Sequence, residues 1–153
     1  MTFPNPFGPV ESVEAARGRA RLAAVGLWLW AATGLGQAML MTRVLATPGA
    51  AVDPAVGFTV IFAVLAALLG LAQWRRPNRI VPIFGLAWML YELSSSAVAL
   101  MVGAPIGALD LPGWMEGISV AVVALCLILH VAALKGAAAL ATWNTTGSSA
   151  ARR

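Results

Sequence analysis

The sequence predicts an all-α protein, a four-transmembrane-helix bundle with both termini cytoplasmic. Its 153 residues are 60% hydrophobic and 10% charged, whereas soluble domains are about 45–50% apolar and about 25% charged. Apolar runs with no more than one charged residue recur four times along the chain, and each reaches roughly the 20 residues that a helix needs to cross a bilayer. Basic residues also cluster on one side of the resulting topology, which is typical of multi-pass membrane proteins.

The predicted spans lie at residues 22–41, 55–74, 80–101 and 117–140. Together they form a transmembrane domain over residues 22–142. A cytoplasmic segment at residues 1–21 precedes it, and a Ser-, Thr- and Gly-rich tail at residues 143–153, predicted to be disordered, follows it. A signal peptide is the alternative for the first span, but its apolar region would be about 7–15 residues and a small-residue cleavage site would follow. The stretch VLATPGAA supplies no such site, so the first span is predicted to remain.

Charge determines the predicted orientation. One side of the topology holds Arg17, Arg19, Arg21, Arg75, Arg76, Arg79, Lys135, Arg152 and Arg153, whereas the other side holds Arg43 with Asp53, Asp110 and Glu116. The positive-inside rule therefore places both termini in the cytoplasm and the protein in the inner (cytoplasmic) membrane. The net charge of +4 is dispersed between apolar spans, so the expected partner is the lipid bilayer and not nucleic acid.

Glu92 is the residue around which a site is predicted. It lies near the middle of the third span, where an ionisable group costs roughly 2.5–3.5 kcal/mol and usually faces a bundle interior or a wet cavity. At helical spacing it shares a face with small and polar residues, whereas leucines occupy the opposite face. The alternative is structural: Glu92 donates a hydrogen bond to a backbone carbonyl and holds the bundle together.

His130, the only histidine, lies on the fourth span. Counting 1.5 Å per residue puts Glu92 roughly 18 Å and His130 roughly 8 Å from the cytoplasmic edge. Because helical side chains lean toward their own N-terminus, the two lean toward each other, which predicts a direct or water-bridged pair. Its alternative is a packing role for His130. The remaining candidates for this ligand or proton site are Thr33, Gln37, Tyr91, Ser95, Ser96 and Cys126, with Trp30 and Trp88 along the apolar body of a ligand.

Several chemistries are excluded by residue type. One histidine and one cysteine supply neither a bis-histidine haem site nor a usual His/Cys metal site, so no metal is predicted. The glycine-rich nucleotide, P-loop, HExxH and GxSxG patterns are all absent. The serines at 94–96 have no activating motif beside them. No cofactor is predicted, although a quinone or another lipophile is compatible with the pocket.

The opening sequence RGRARLAAVGLWLWAATGLGQ, with Arg19, Gly26 and Gly34, precedes three further spans. In this it resembles the DoxX-like group of small four-helix membrane proteins. The resemblance implies a compact four-helix bundle and a quinone-linked redox or accessory role. It assigns no catalytic residue to a numbered position of this chain.

Three functions remain open. The leading hypothesis is a non-catalytic accessory subunit or lipophilic-ligand-binding protein with a polar intramembrane pocket around Glu92. The alternatives are an oligomeric proton-coupled small transporter that uses Glu92, and a quinone- or lipid-linked membrane enzyme. The small-residue faces at Gly26 and Gly34, and at Ala63, Ala66 and Gly70, favour a homo-oligomer or a larger membrane complex, because small residues allow helices to approach closely.

Overall fold

The computed structural model describes residues 8–43, 53–104, 106 and 111–150, with side chains to residue 143. Its helices are α1 (Val13–Ala20), α2 (Leu22–Arg43), α3 (Pro54–Arg75), α4 (Ile80–Val102) and α5 (Gly113–Ala150). Four helical stretches are long and apolar enough to cross a membrane: Val13–Arg43, Pro54–Arg75, Ile80–Val102 and Gly113–Trp143. The prediction of an all-α membrane protein with four spans is therefore confirmed.

Local sequence signals account for the ends of α3 and α4. The Asp53 side chain accepts a hydrogen bond from Ala55 N at 2.8 Å, and Pro54 occupies the first turn, where its missing N–H costs nothing. Asn78 Oδ1 accepts from the first backbone N–H groups of α4 at 2.9 and 3.0 Å. At the other end of α4, Gly103 adopts a left-handed φ of 67°, which glycine allows without strain.

The helices are not packed evenly around one axis. Helix α2 packs closely against both α3 and α5, and α4 packs against α5. Helices α3 and α4 are joined by a short hairpin, yet they make only sparse backbone contact with each other. A cleft therefore lies between α3 and α4, with α2 at its base, and it faces the surface that lipid covers.

One end of the bundle gathers basic side chains and is called the basic end below. Arg21 Nε donates to the Trp74 carbonyl at 3.1 Å, and its guanidinium lies 5.1 Å from the Trp74 ring centroid. Arg79 Nη2 donates to the Ala138 carbonyl at 3.0 Å. These contacts bring the start of α2, the α3–α4 hairpin and the late part of α5 together, as a four-span topology requires. Which side of the membrane this end faces stays a prediction, and Asp110, Arg152 and Arg153 lie outside the described residues.

Helix α5 is longer than the sequence predicts. It has 38 residues, or about 57 Å at 1.5 Å per residue, against a hydrocarbon core of about 30 Å. The predicted span ends at residue 140 and the predicted disordered tail begins at 143, but the helix continues to Ala150. The alanine-rich segment after Lys135 has high helix propensity, and α1 packs beside it, with Gly136 against Ala16 and Ala20. Residues 151–153 lie outside the described part of the chain.

The small residues of the spans are used inside the chain. A Cβ placed on Gly26 would lie 2.8 Å from Cε1 of His130, and one on Gly70 would lie 2.6 Å from Nε1 of Trp28. Ala63 and Ala66 are buried, and Gly34 faces Ala63. Packing within the chain thus accounts for these small-residue faces, and they no longer support an oligomer or a larger complex. Whether the protein forms an oligomer or a complex stays a prediction.

Candidate functional site

A cavity of about 570 Å³ lies between α2, α3, α4 and α5, in the half of the bundle away from the basic end. Eight of the ten predicted site residues line it: Trp30, Thr33, Gln37, Trp88, Tyr91, Glu92, Ser95 and Ser96. They meet there because α2 and α4 each place one helical face toward the same space. The cavity is within the size range of small-molecule sites, which is about 300–1,000 Å³.

Glu92 is half-buried in the wall of this cavity. Its backbone carbonyl accepts hydrogen bonds from Ser95 Oγ at 2.9 Å and Ser96 Oγ at 2.7 Å. Its carboxylate forms no ion pair within the described part of the chain, and it interacts with the indole N–H of Trp88, one helical turn earlier. The Nε1 of Trp88 is buried, and its contact with Glu92 falls short of the geometry of a full hydrogen bond. The structural alternative, a Glu92 that bonds to a backbone carbonyl, is therefore not what the described chain contains.

The five serine and threonine hydroxyl groups of the cavity share one arrangement. Each donates its proton to a backbone carbonyl of its own helix: Thr33 to Leu29 at 2.9 Å, Thr59 to Ala55 at 2.8 Å, Ser119 to Met115 at 2.8 Å, and Ser95 and Ser96 to Glu92. Gln37 Nε2 in turn donates to Ser119 Oγ, which joins α2 to α5. With these protons engaged, the hydroxyls offer oxygen lone pairs to the cavity.

Aromatic rings surround Trp88. Its ring centroid lies 6.1 Å from Trp30, 5.7 Å from Phe62, 6.3 Å from Phe84 and 6.1 Å from Tyr91. The contact with Phe62 spans the cleft between α3 and α4. Trp30, Phe62 and Trp88 also line a second cavity of about 130 Å³, which reaches toward the basic end between apolar side chains of α2, α3 and α4. The polar cavity and this apolar cavity therefore share an aromatic boundary.

His130 and Cys126 do not line either cavity. His130 is fully buried, and its Nδ1 donates to the Cys126 carbonyl at 2.7 Å. Its ring lies between Gly26 and Gly85, where an added Cβ on either glycine would meet it. Cys126 Sγ donates to the Gly26 carbonyl at 3.1 Å.

A direct Glu92–His130 contact is therefore not present, and a water-bridged pair stays a prediction. No hydrogen bond or ion pair joins the two residues in the described structure. Gly85, which faces His130, precedes Glu92 by about two helical turns, or about 10 Å along α4. The direction of the two side chains along their helices does not make up for this offset. Contacts with Gly26 and Gly85 hold the imidazole at the level of Gly85.

The arrangement limits the chemistry of the site. Ser95 and Ser96 donate to the backbone, and His130 lies apart from them, so these described residues do not form the nucleophile–base hydrogen bond that an activated serine needs. No group of three or more His, Cys, Asp or Glu side chains suited to a metal ion occurs among the described residues.

The lining residues that sequence reasoning missed include Thr59, Phe62 and Ser119. Thr59 and Phe62 lie on α3, a helix that is apolar on almost every side. Helical spacing therefore did not distinguish its cavity-facing residues from its lipid-facing residues. Ser119 was recognisable as a hydroxyl in the last span, but its pairing with Gln37 depends on the way α2 and α5 pack.

No protein family, no curated protein and no solved structure matches the chain. The resemblance to the DoxX-like group is therefore not supported by a family match. The four-span plan that accompanied that resemblance is supported by the helices themselves.

Proposed function

We propose that this chain is a small multi-pass membrane protein that binds a lipophilic ligand in the cavity between α2, α3, α4 and α5, with the polar end of the ligand at Glu92. One observation carries the proposal: the Glu92 carboxylate lines a cavity of about 570 Å³, and within the described chain it interacts with the indole of Trp88 and with no basic side chain.

Glu92 is energetically costly to place inside a membrane. A carboxylate at this depth costs about 2.5–3.5 kcal/mol, and a buried charge is normally paired or fully hydrogen-bonded. The described chain offers it the Trp88 indole and no cation, so the remaining compensation comes from a bound molecule, from water or from protonation of the carboxyl group. The aromatic residues Trp30, Phe62 and Trp88 beside it provide the apolar surface that a lipophilic body needs.

The cleft between α3 and α4 supplies a path for such a ligand. Because these helices touch sparsely, a molecule dissolved in the bilayer reaches the cavity laterally by displacing side chains and not whole helices. Phe62 lies against Trp88 across the cleft at a centroid distance of 5.7 Å. The pair is therefore the barrier that an incoming ligand meets first.

Native mass spectrometry of the protein, extracted gently from its membrane, tests the proposal. We expect a lipophilic adduct on the wild-type chain that is depleted in Glu92→Gln. Glu14→Gln is the matched control, because Glu14 is an exposed carboxylate on α1, remote from the cavity. Adduct-free wild-type protein, or equal adduct in all three proteins, contradicts the proposal. A bound quinone would identify the quinone-linked role.

A second candidate rests on the same carboxylate. A membrane-embedded acid that is not paired with a basic residue suits a proton relay, so the chain is also a candidate for an oligomeric proton-coupled small transporter. Liposomes containing the protein would then show flux of the bound ligand driven by a pH gradient, and Glu92→Gln would abolish this flux. Ligand binding without gradient-driven flux would exclude the transporter and support the binding function.

A further inference from the structure

We infer that the cavity around Glu92 selects a lipophilic organic cation, such as an amine or onium group attached to a large apolar body. The inference rests on the proposed function and names the class of ligand. It is carried by the charge, the hydrogen-bonding character and the aromatic lining of the same cavity.

Charge is the first consideration. Glu92 lines the cavity, and the lining residues include no lysine, arginine or histidine. Arg21 and Arg79 lie at the opposite end of the bundle, and Arg43, which ends α2 on the side of the cavity, is exposed and is not among the lining residues. An anionic ligand would place like charges together in a medium of low dielectric, where repulsion is strong. A cation would instead provide the opposite charge that the carboxylate lacks.

The hydrogen-bonding groups point the same way. Thr33, Thr59 and Ser119, together with Ser95 and Ser96, have already donated their protons to backbone carbonyls. Their free lone pairs and the Glu92 carboxylate make this part of the wall a set of acceptors. An ammonium group, which has donors and no acceptor, is complementary to such a wall.

The aromatic rings provide the third argument. Trp30, Trp88 and Tyr91 line the cavity together with Glu92, and Trp88 contacts both other rings at 6.1 Å between centroids. Aromatic faces attract cations, most strongly when these are desolvated, and aromatic walls are a known means of holding quaternary ammonium groups. The adjoining apolar cavity past Trp88 gives the hydrocarbon body of the ligand a place to extend.

Two probes of almost equal size and opposite charge test this inference. Tetraphenylphosphonium and tetraphenylborate are measured for equilibrium binding to the full chain in phosphatidylcholine nanodiscs, and binding to empty nanodiscs is subtracted. We expect saturable binding of the phosphonium and no saturable binding of the borate. This comparison uses the wild-type protein, so it does not depend on the stability of a variant.

Variants then locate the binding. Glu92→Gln should weaken phosphonium binding by about 30-fold or more, as expected when one partner of a buried charge pair is removed. Trp88→Ala should weaken it by about fivefold or more, and Trp88→Phe by less, because the ring face remains. Glu14→Gln should bind as the wild type does. If Glu92→Gln does not fold, Glu92→Asp replaces it and should keep the preference for the phosphonium over the borate.

The outcomes separate the two proposals. Equal binding of both probes, or phosphonium binding that Glu92→Gln leaves unchanged, overturns the cation inference. Absence of phosphonium binding together with a neutral lipophile that depends on Glu92 also overturns it, while the proposed function stands. If neither probe binds and no lipophile is found on the native protein, both proposals fail.

Discussion

The imidazole of His130 on α5 fills the space that the missing side chain of Gly85 leaves on α4. Gly26 on α2 borders the same ring, with its virtual Cβ 2.8 Å from Cε1. The ring is fully buried, so one histidine holds three helices at a fixed spacing. This contact assigns His130 a packing role, separate from the cavity that contains Glu92.

Gly85→Ala is expected to destabilise the bundle. The added methyl group would overlap the His130 ring, and overpacking of this kind typically costs about 1–3 kcal/mol. Thermal or denaturant unfolding in detergent measures the change. Gly36→Ala is the matched control, because nothing lies within 4 Å of a Cβ at Gly36 and alanine favours the helix. Equal stability of the two variants would contradict the contact.

A double-mutant cycle checks that the overlap is with His130 itself. His130→Ala alone leaves a void between α2, α4 and α5, at a cost of the kind seen for large-to-small core substitutions. In Gly85→Ala with His130→Ala, the new methyl group enters that void. We therefore expect the double variant to be more stable than the sum of the single effects by about 0.5–3 kcal/mol. Additive effects would show that the two residues are independent.

Gln73 is a second buried polar residue with a structural role. It is fully buried and donates to the Ala20 carbonyl at 2.9 Å, and its Oε1 accepts from Asn78 N at 3.2 Å. Gln73→Leu leaves the Asn78 N–H without this partner, so a loss of about 1–3 kcal/mol is expected. Ala72→Leu, an exposed neighbour, is the control for added bulk in the same unfolding assay. A Gln73→Leu protein as stable as the wild type would exclude this role.

The orientation of the bundle gives a prediction in cells. With the basic end facing the cytoplasm, a fluorescent protein fused after residue 153 should be fluorescent. A phosphatase inserted in the connection between α2 and α3 should be active, because that connection lies at the opposite end. An inactive fluorescent fusion together with an inactive phosphatase would show that the topology is the inverse of the predicted one. Basic side chains at this end, such as Arg75 and Arg79, would then have to face outward.

Much of the fold follows from composition and local pattern. Four apolar runs predicted four spans, and their helices confirm this within a few residues at Pro54–Arg75 and Ile80–Val102. The prediction was less accurate for α5, because hydropathy marks where a helix leaves the hydrocarbon and not where the helix ends. The pairing of α1 with the alanine-rich end of α5 depends on tertiary contact and has no hydropathy signal.

The candidate site was likewise predictable only in part. Helical periodicity brought Trp88, Glu92 and Ser96 to one face of α4, and the same reasoning placed Thr33 and Gln37 on one face of α2. These residues line one cavity. Periodicity describes each helix alone, however, and contains no information on the relative height of two helices. The direct contact between Glu92 and His130 that was predicted as one form of their pairing is absent for that reason.

The sequence by itself determined that the chain crosses a membrane four times and that Glu92 lies on an inward face, because length, hydropathy and helical spacing are properties of single segments. The tertiary structure decided which helices touch. It placed His130 between Gly26 and Gly85, left the α3–α4 cleft sparsely packed and left the Glu92 carboxylate beside Trp88, with no basic side chain of the cavity lining to pair with it. These outcomes depend on how side chains of different helices fit together, and no single segment encodes that fit.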